Sequence, residues 1–458
     1  MGGVGAALPT ITESARAAVA DIPDGATVMV GGVHLCGIPE NLVAALHESG
    51  VRDLTLISNN AGTEDFGIGL LIAGGQVRKL IASFLGGNGD VQRRYLRGEL
   101  AVDLLPQGAF VERIRAAGAG LGGFFVPVAP DTAAAANKEI RIIDGRPCTF
   151  ERPLAADFAL VKGYQGDTVG NLTYRKTTRN FNPVMAMAGR TTIAEVEALV
   201  PAGRLNPEAV VTPGIFVQRI VRGATYEKRI EIRAVRSDRT PSPVDPRERI
   251  ARRIAAELHA GEYVSLGMGI PSRAVGYIGP ELDITIHSGT GVLGVGDYPE
   301  EGDIDADLIN GGRETIGAVI GAAFFDGPEA FGMVRGGHLD TAVLGALEVD
   351  ADGSIVSWTV PGKLVNGVGG AMDLAINAKR VIVAVEHTTR DGKPRIVRSC
   401  TLPLTAARVA QTIITELAVM DVTPNGLALR EIAADATVEL VRSRTEAELD
   451  ADHIRGVF

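Results

Sequence analysis

Short apolar stretches alternate with helix-like stretches along the first half of the chain, and the apolar ones end in glycine-rich turns. The stretches Thr27–Val30, Leu54–Ser58 and Lys79–Ser83 are typical of buried strands, whereas 11–22 and 40–49 have the spacing of helices. This order of strand, glycine loop and helix predicts βαβ units and a mostly parallel sheet.

The pattern weakens in the middle of the chain and returns in the second half. Residues 111–120 predict a short helix that ends at glycine, 128–152 lack periodicity and predict an irregular excursion, and 157–162 predict a strand. An amphipathic helix is predicted over 248–260, ending before Gly261.

Another glycine-rich turn follows the apolar run that ends at Ile286. There the chain reads His287-Ser288-Gly289-Thr290-Gly291-Val292-Leu293-Gly294. Ligands of open α/β sheets bind at the carboxyl ends of the strands, so this turn is a candidate ligand site. A plain strand-to-loop turn is the alternative interpretation.

The two halves of the chain repeat one pattern of strand, glycine turn, Ile-Pro and helix. It occurs in Val28–Pro39 and again in Tyr263–Pro271. The sequence therefore predicts an α/β protein of two tandem open α/β domains, with the active site in the cleft between them. A proline-rich linker at 237–247 is expected to separate a domain at 1–236 from one at 248–458.

Composition, net charge and cysteine positions limit the classes of partner, metal site and cellular location that are expected. The chain of 458 residues has 46% hydrophobic and 22% charged residues, as expected of a globular enzyme, and its net charge of −10 argues against nucleic acid or an anionic membrane as partner. Cys36, Cys148 and Cys400 are too far apart for a metal site, so we expect no metal and a reducing compartment. No apolar run reaches the ~18 residues that cross a bilayer, and a cytoplasmic protein is predicted.

Motifs along nearly the whole chain resemble those of family I coenzyme A-transferases, most closely the fused succinyl-CoA:3-oxoacid type. The similar segments occur in the family's order, which makes the resemblance more specific than short glycine motifs alone. They are Asp24–Val30 with Gly37-Ile38-Pro39, Ser58–Gly62, Pro106–Gly108, 112–116, 226–231, Asp305–Asn310, Arg335–His338, Pro361–Leu364, Gly369–Leu374, Glu386-His387 and Cys400–Thr405.

The resemblance implies a covalent mechanism that this chain cannot follow. The family uses a glutamate in a Ser-Glu-Asn-Gly motif to attack the acyl-CoA, and that position is Gly289, followed by Thr290. A second family glutamate corresponds to Gly87, in Gly86-Gly87-Asn88. The family's Gly-Gly-Phe-Gly signature reads Gly31-Gly32-Val33-His34, so His34 brings an imidazole to a position that has no side chain in the family.

Four side chains are the main candidates for the chemistry, and two carboxylates are alternatives. His34 could act as a general base on water, since imidazole titrates near neutral pH, or it could be hydrogen-bonded in its turn without transferring a proton. The resemblance implies that Asn59, Asn60 and Gln107 polarise a carbonyl, although amides also cap loops. Glu64 and Glu112 stay open as alternative bases.

Other positions are expected to contact the substrate. By resemblance they are Gly32, Gly86, Gly87, Ser288, Gly289, Thr290, Gly291, Lys363, Gly369 and Gly370. Lys363 could meet a CoA phosphate or be an ordinary surface lysine. His287, His338 and His387 match family segments and are expected to be structural.

These features favour an enzyme that acts on a 3-oxo acid, a 1,3-diketone or its CoA thioester. Without the glutamate the favoured reaction is hydrolysis of a thioester or, in a retro-Claisen sense, of a C–C bond. The alternatives are a 3-oxoacid CoA-transferase that uses a substitute carboxylate or direct exchange, and a non-catalytic acyl-CoA-binding protein. No cofactor is implied beyond coenzyme A as part of a substrate, and the family makes a homodimer the expected state.

Overall fold

A large, mostly parallel sheet organises each half of the chain. The computed structural model describes residues 8–127, 130–238, 245–452 and 454–458, so most of the predicted linker at 237–247 lies outside the described residues and the predicted domain boundaries stay a prediction. Among the described residues, no helix combines the length and the apolar character needed to cross a membrane.

The sheet of the first half has nine strands, and eight of them run parallel in the order β1-β12-β11-β9-β2-β3-β4-β5, with β10 antiparallel to β9. Its strands are β1 (Thr10–Ile11), β2 (Thr27–Val30), β3 (Leu54–Ser58), β4 (Val77–Ala82), β5 (Ala101–Leu104), β9 (Ala156–Asp167), β10 (Leu172–Thr173), β11 (Gly189–Val200) and β12 (Arg219–Arg222). The helices are α1 (Ala15–Val19), α2 (Glu40–Ser49), α3 (Gly69–Ala73), α4 (Gly89–Leu96), α5 (Gln107–Gly118) and α6 (Asn182–Ala188).

Helices cover both faces of this sheet, which explains why its central strands are apolar without alternation. Val28 and Val30 pack into one buried cluster with α2, and Met29 packs into another with α5 and α6. The predicted parallel α/β arrangement is confirmed.

Tertiary contacts change three of the predicted elements. The helix predicted over 11–22 shrinks to α1 because residues 10–11 pair with β12 as a strand. The helix predicted over 111–120 begins earlier, at Gln107. The excursion predicted over 128–152 is irregular over 130–139 but wrong beyond it, where β7 (Ile140–Ile143) and β8 (Arg146–Glu151) form a small antiparallel sheet with β6 (Phe124–Pro127).

The sheet of the second half has eleven strands among the described residues. Their order is β16-β15-β14-β13-β17-β22-β24-β25-β26-β27, with β28 beside β26. Its strands are β13 (Tyr263–Leu266), β14 (Thr285–Ser288), β15 (Val292–Val295), β16 (Ala318–Phe324), β17 (Thr341–Leu344), β22 (Arg380–Ala384), β24 (Thr412–Ile414), β25 (Ala418–Thr423), β26 (Gly426–Ile432), β27 (Leu449–Asp450) and β28 (Gly456–Val457). Short strands outside it are β18 (Glu348–Asp350), β19 (Ile355–Val356), β20 (Thr359–Val360), β21 (Leu364–Val365) and β23 (Ile396–Val397).

Four helices accompany this sheet in the described part of the second half, and the repeat between the halves is less complete than predicted. The helices are α7 (Pro246–Glu257), α8 (Gly327–Arg335), α9 (Ala371–Asn377) and α10 (Val438–Arg444). Helix α7 begins two residues before the predicted 248, because the Asp245 side chain accepts a hydrogen bond from the Arg247 amide and caps it. After β13 the expected helix is only a 3₁₀ segment, Pro271–Tyr277, which begins with proline.

Backbone hydrogen bonds and partly buried ion pairs join the two halves. The Leu85 amide donates to the Asn366 carbonyl (2.6 Å) and the Gln107 amide to the Gly369 carbonyl (2.9 Å). Arg175 binds Asp305 and, at 2.8 Å, Asp307. Because these contacts cross from one half to the other, they fix the loops at the carboxyl ends of both sheets against each other.

Candidate functional site

A cavity of about 330 Å³ lies between the two halves, at the carboxyl ends of the central strands. The first half contributes loops after β2, β3 and β4 and the start of α5, and the second half contributes the ends of β13, β14 and β17 with the loop before α9. The lining residues are Val33, His34, Asn59, Phe84, Gln107, 265–268, 287–290, Gly311, Phe331, Val334, 344–347, Ser357, 366–371 and Leu374.

The wall of this cavity is apolar with a few neutral polar groups. Among the described residues that line it there is no aspartate, glutamate, lysine, arginine or cysteine. Within the same described part of the chain, no cluster of three or more His, Cys, Asp or Glu side chains could hold a metal ion. The cavity therefore offers hydrogen bonds to a ligand, and no carboxylate or thiol to attack it.

The predicted site residues divide into two groups by their position. Those that line the cavity are His34, Asn59, Gln107, Ser288, Gly289, Thr290, Gly369 and Gly370. Those that do not line it are Asn60, Gly32, Gly86, Gly87, Gly291 and Lys363. Lys363 is exposed in the turn between β20 and β21, so any role in binding coenzyme A would lie outside the cavity.

His34 occupies a backbone conformation that favours glycine. Its φ is 55°, in a tight turn closed by two backbone hydrogen bonds of 3.0 Å between Val33 and Cys36. For a residue with a Cβ this conformation costs ~1–2 kcal/mol, which agrees with the glycine that the family resemblance implies here. The imidazole meets the edge of the Phe84 ring at 5.7 Å between centroids.

Burial keeps the His34 imidazole neutral. Loss of water contact lowers its pKa from 6.5 to about 3, the positive charge of Arg313 acts in the same direction, and the nearby Gly311 backbone opposes them. At neutral pH the ring can accept a proton, but it is a weak base in the free protein. Negative charge that develops on a substrate beside it would raise this pKa.

The space above Gly87 is filled by Arg313. A Cβ placed on Gly87 would lie 2.5 Å from Arg313 Nη1, which in turn lies 3.4 Å from Glu231 Oε2. The Arg313 guanidinium also faces the Phe84 ring at 5.9 Å. A side chain at Gly87 would displace this arginine and, with it, the positive charge that acts on His34.

Neighbouring Asn59 and Asn60 differ in what their amides do. Asn59 lines the cavity, and its buried Nδ2 makes no hydrogen bond within the described structure. Asn60 accepts a hydrogen bond from the Gly62 amide through Oδ1 at 2.9 Å, as a loop-capping residue does, and its own buried Nδ2 is unpaired within the described structure, like that of Asn59. Gln107 lies at the first turn of α5, on the same cavity wall as Gly370.

The turn after β14 is held by a closed set of hydrogen bonds. Thr290 Oγ1 donates to the Ile309 carbonyl, and Ser288 Oγ, which accepts from the Gly311 amide at 3.1 Å, lies 2.9 Å from Thr290 Oγ1. Because the Thr290 hydrogen is already used, the Ser288 hydroxyl donates to Thr290. These hydroxyls shape the turn and are not free nucleophiles.

Gly289 lines the cavity, and the space beside its Cα can hold a Cβ atom after a small shift of one neighbour. An added Cβ would lie 3.3 Å from Cζ of Phe331, so the ring would have to move by a few tenths of an ångström. Unlike Gly291, which has φ 105°, Gly289 does not have a left-handed backbone. The lack of a nucleophile at this position is therefore a property of the residue and not of the backbone.

The two carboxylates considered as alternative bases are paired elsewhere. Glu64 is exposed and lies 3.6 Å from Arg93, and Glu112 binds Arg115 at 2.9 Å and Arg335 at 3.1 Å. Neither lines the cavity.

Two histidines that the sequence groups as structural have different surroundings. His387 is fully buried, with ring nitrogens 3.0 Å from Thr415 Oγ1 and 2.9 Å from Thr445 Oγ1. His287 is 2% exposed and lines the cavity, yet neither of its ring nitrogens is hydrogen-bonded within the described structure. Residue type and spacing do not distinguish them, because only the fold decides which ring meets a partner.

Buried histidines are expected to make the folded state less stable as the pH falls. Burial, with the nearby charge of Arg444, lowers the pKa of His387 from 6.5 to about 4, so between those values the unfolded chain binds a proton that the folded chain does not. The free energy of unfolding should fall by about 2 kcal/mol from pH 7 to pH 5 through this residue. Glu195 and Asp373 act in the opposite direction, since burial raises their pKa values to about 7 and about 6.

Comparing the natural protein with His387→Phe isolates this contribution. Urea denaturation at pH 7 and pH 5 should show a variant that is less stable at pH 7, because it loses two hydrogen bonds, but that loses about 2 kcal/mol less on acidification. Parallel losses in the two proteins would contradict the assignment.

Comparisons with known proteins agree with this architecture. A family model described as coenzyme A transferase matches residues 12–223 and 247–443. The chain is 44% identical over 450 residues, 93% of this chain and 87% of the relative, to succinyl-CoA:3-ketoacid coenzyme A transferase 2, mitochondrial, from Homo sapiens. It is 42% identical over 453 residues, again 93% of this chain and 87% of the relative, to succinyl-CoA:3-ketoacid coenzyme A transferase 2A, mitochondrial, from Mus musculus.

A solved structure shares the fold at lower identity. The crystal structure of the acyl-CoA transferase (YdiF) apoenzyme from Escherichia coli O157:H7 covers 100% of this chain and 96% of its own, with a TM-score of 0.80 and 22% identity. The family match over both halves, together with the identity to full-length relatives, shows that this chain belongs to the coenzyme A transferase family.

Proposed function

We propose that this enzyme of the coenzyme A transferase family hydrolyses a 3-oxo acid, a 1,3-diketone or the CoA thioester of such a compound. The observation that carries the proposal is Gly289, a residue without a nucleophile at the position where the family resemblance implies the covalent glutamate. No carboxylate or thiol among the described lining residues replaces it, and water can attack a carbonyl without a nucleophilic side chain.

The proposed reaction balances with the groups that face the cavity. Water adds to a carbonyl carbon as His34 takes one of its protons, and the carbonyl oxygen gains negative charge beside the Asn59 amide. The C–S bond or the C–C bond then breaks. The proton on His34 passes to the leaving thiolate or enolate carbon, which leaves a carboxylic acid as the second product.

His34 is a weak base in the free protein, and it can take the proton from water because negative charge develops on the substrate next to it. The low pKa keeps the ring neutral and able to accept a proton, and the oxyanion would raise that pKa during the reaction. Asn60, which the sequence grouped with Asn59, is expected to support the loop instead of binding the carbonyl.

Coenzyme A transfer between two acids is the second candidate. It is favoured by the two mammalian relatives, which are succinyl-CoA:3-ketoacid coenzyme A transferases. Without a glutamate at Gly289, it would need another carboxylate or direct exchange. A homodimer, a cytoplasmic location, and coenzyme A as part of the substrate with no other cofactor stay predictions.

Heavy-oxygen labelling separates the two candidates. Protein is incubated in H₂¹⁸O with acetoacetyl-CoA or acetylacetone, with and without succinate, and the products are analysed by mass spectrometry. We expect one heavy oxygen in the product carboxylate and no succinyl-CoA. Succinyl-CoA formed without solvent oxygen in the product would reject hydrolysis in favour of transfer.

His34→Gly tests the proposed base without straining the turn, because glycine adopts φ 55° more readily than histidine. Hydrolysis should fall by ~10²–10⁴-fold while the protein stays folded. His338→Ala is the matched control, since His338 is exposed and does not line the cavity, and it should hydrolyse at the natural rate. Full activity in His34→Gly would remove His34 from the mechanism.

A further inference from the structure

His287 is buried in the cavity wall with both ring nitrogens unsatisfied. It lies on β14 with 2% of its surface exposed, and its ring stacks on Phe325 at 6.2 Å with an angle of 12° between the planes. The Ala330 backbone approaches the ring and slightly opposes the effect of burial on its pKa, but it is not within hydrogen-bond geometry.

Leaving such atoms unpaired is costly in a folded protein. A buried donor or acceptor without a partner costs ~1–3 kcal/mol, and more than about nine in ten buried polar groups avoid that cost. Of the described residues with a buried, unpaired side-chain nitrogen or oxygen, Asn59 and His287 are the two that line the cavity. Unpaired groups that meet at one cavity are explained when a ligand supplies the missing partners.

The strand holds His287 in a fixed place. Its Cα pairs with Ser265 of β13 on one side and with Leu293 of β15 on the other, and Ser265 also lines the cavity. Hydrogen-bonded neighbours on both sides and the stacked Phe325 leave the ring little freedom. A ligand that binds this ring therefore loses little free energy to ordering the protein.

We propose that His287 is a substrate-binding residue that hydrogen-bonds an oxygen of the ligand's dicarbonyl head. The inference rests on the proposed function for the class of ligand, but it does not depend on whether water or an acid then attacks. It replaces the structural role that the sequence favours for this histidine.

The chemistry of a neutral imidazole suits that ligand. Burial lowers the pKa of His287 to about 4, so at neutral pH one nitrogen donates a hydrogen bond and the other accepts one. A 1,3-dicarbonyl compound in its enol form presents a carbonyl oxygen that accepts and a hydroxyl that donates, so it can pair with whichever ring nitrogen it meets. A purely apolar ligand would satisfy neither nitrogen.

His387 supplies the matched comparison, because it is equally buried but has both ring nitrogens hydrogen-bonded and does not line the cavity. The test uses His287→Phe, which retains the aromatic stack, His287→Gln, which retains a donor and an acceptor, and His387→Phe. Each full-length protein is titrated with acetylacetone by calorimetry and unfolded with urea. The ligand that remains after each titration is quantified, so that consumption is separated from binding.

We expect His287→Phe to bind acetylacetone at least ~10-fold more weakly while its urea midpoint is unchanged or higher, because an unpaired polar group has been removed. His287→Gln should recover part of the affinity. His387→Phe should have a lower midpoint and an affinity within about twofold of the natural protein.

Three outcomes would overturn the proposal. One is unchanged affinity in both folded His287 variants. Another is a loss of stability in His287→Phe as large as in His387→Phe, which would mean that protein or buried water already satisfies the ring. The third is the absence of saturable acetylacetone binding by the natural protein. Binding that depends on His287 without incorporation of solvent oxygen would reject hydrolysis alone and leave this inference standing.

Discussion

The Gly289→Glu variant is expected to form a covalent thioester with coenzyme A when it is incubated with an acyl-CoA, whereas the natural protein is not. Gly289 lines the cavity and its backbone accepts an L side chain. The new Cβ would lie 3.3 Å from Phe331 Cζ, a contact that a small movement of the ring relieves. The new carboxylate would supply the nucleophile that the cavity lacks.

Intact-protein mass spectrometry measures this gain directly, as an added mass equal to coenzyme A less one water. The matched control is Gly289→Gln, which has nearly the same shape but an amide in place of the carboxylate, and it should show no adduct. An adduct on the natural protein would reveal another nucleophile and reject the hydrolytic proposal. A folded Gly289→Glu protein that forms no adduct would show that this cavity does not admit a thioester to residue 289.

We expect Asn59→Ala to lower kcat and Asn60→Ala to lower the free energy of unfolding, although the two residues are adjacent. Removing the Asn59 amide takes away an unpaired donor from a residue that lines the cavity, which should lower kcat by ~10²–10³-fold, as the loss of one oxyanion-hole donor does. Its folding should change little, because Nδ2 makes no hydrogen bond in the described structure.

Asn60→Ala should instead lower the free energy of unfolding by ~1–3 kcal/mol, since the buried Gly62 amide loses its acceptor at 2.9 Å. Its kcat should stay within a few-fold of the natural value at a temperature where the variant is folded. Steady-state kinetics and urea denaturation of both variants check the pair. Equal losses of kcat with unchanged stability in both would return Asn60 to the catalytic group.

The order of elements was predictable because it follows from local patterns. Buried parallel strands are apolar throughout and end in glycines, so β2, β3 and β4 were recognised nearly to the residue. The small sheet of β6, β7 and β8 was missed. β7 is exposed along its length, so it lacks the apolar pattern that reveals a buried strand.

Some roles in the site follow from the identity of a residue, whereas others depend on its neighbours in the folded protein. His34 and Gly289 could be singled out without the structure, because the family resemblance shows that one adds an imidazole and the other lacks the expected nucleophile. Glu64 and Glu112 stayed open as bases until their partners were known. The ion pairs of Glu64 with Arg93 and of Glu112 with Arg335 join segments whose proximity the sequence does not state.

By itself, the sequence determined the α/β class, the two similar halves and the absence of a glutamate at Gly289, since these depend on composition, local periodicity and residue identity. The tertiary structure alone decided that Asn59 faces the cavity while Asn60 caps a loop, and that His287 is unpaired while His387 is satisfied. Hydrogen-bond partners come from segments far apart in the chain. Whether a buried polar group is structural or free for a ligand is therefore set only when those segments pack.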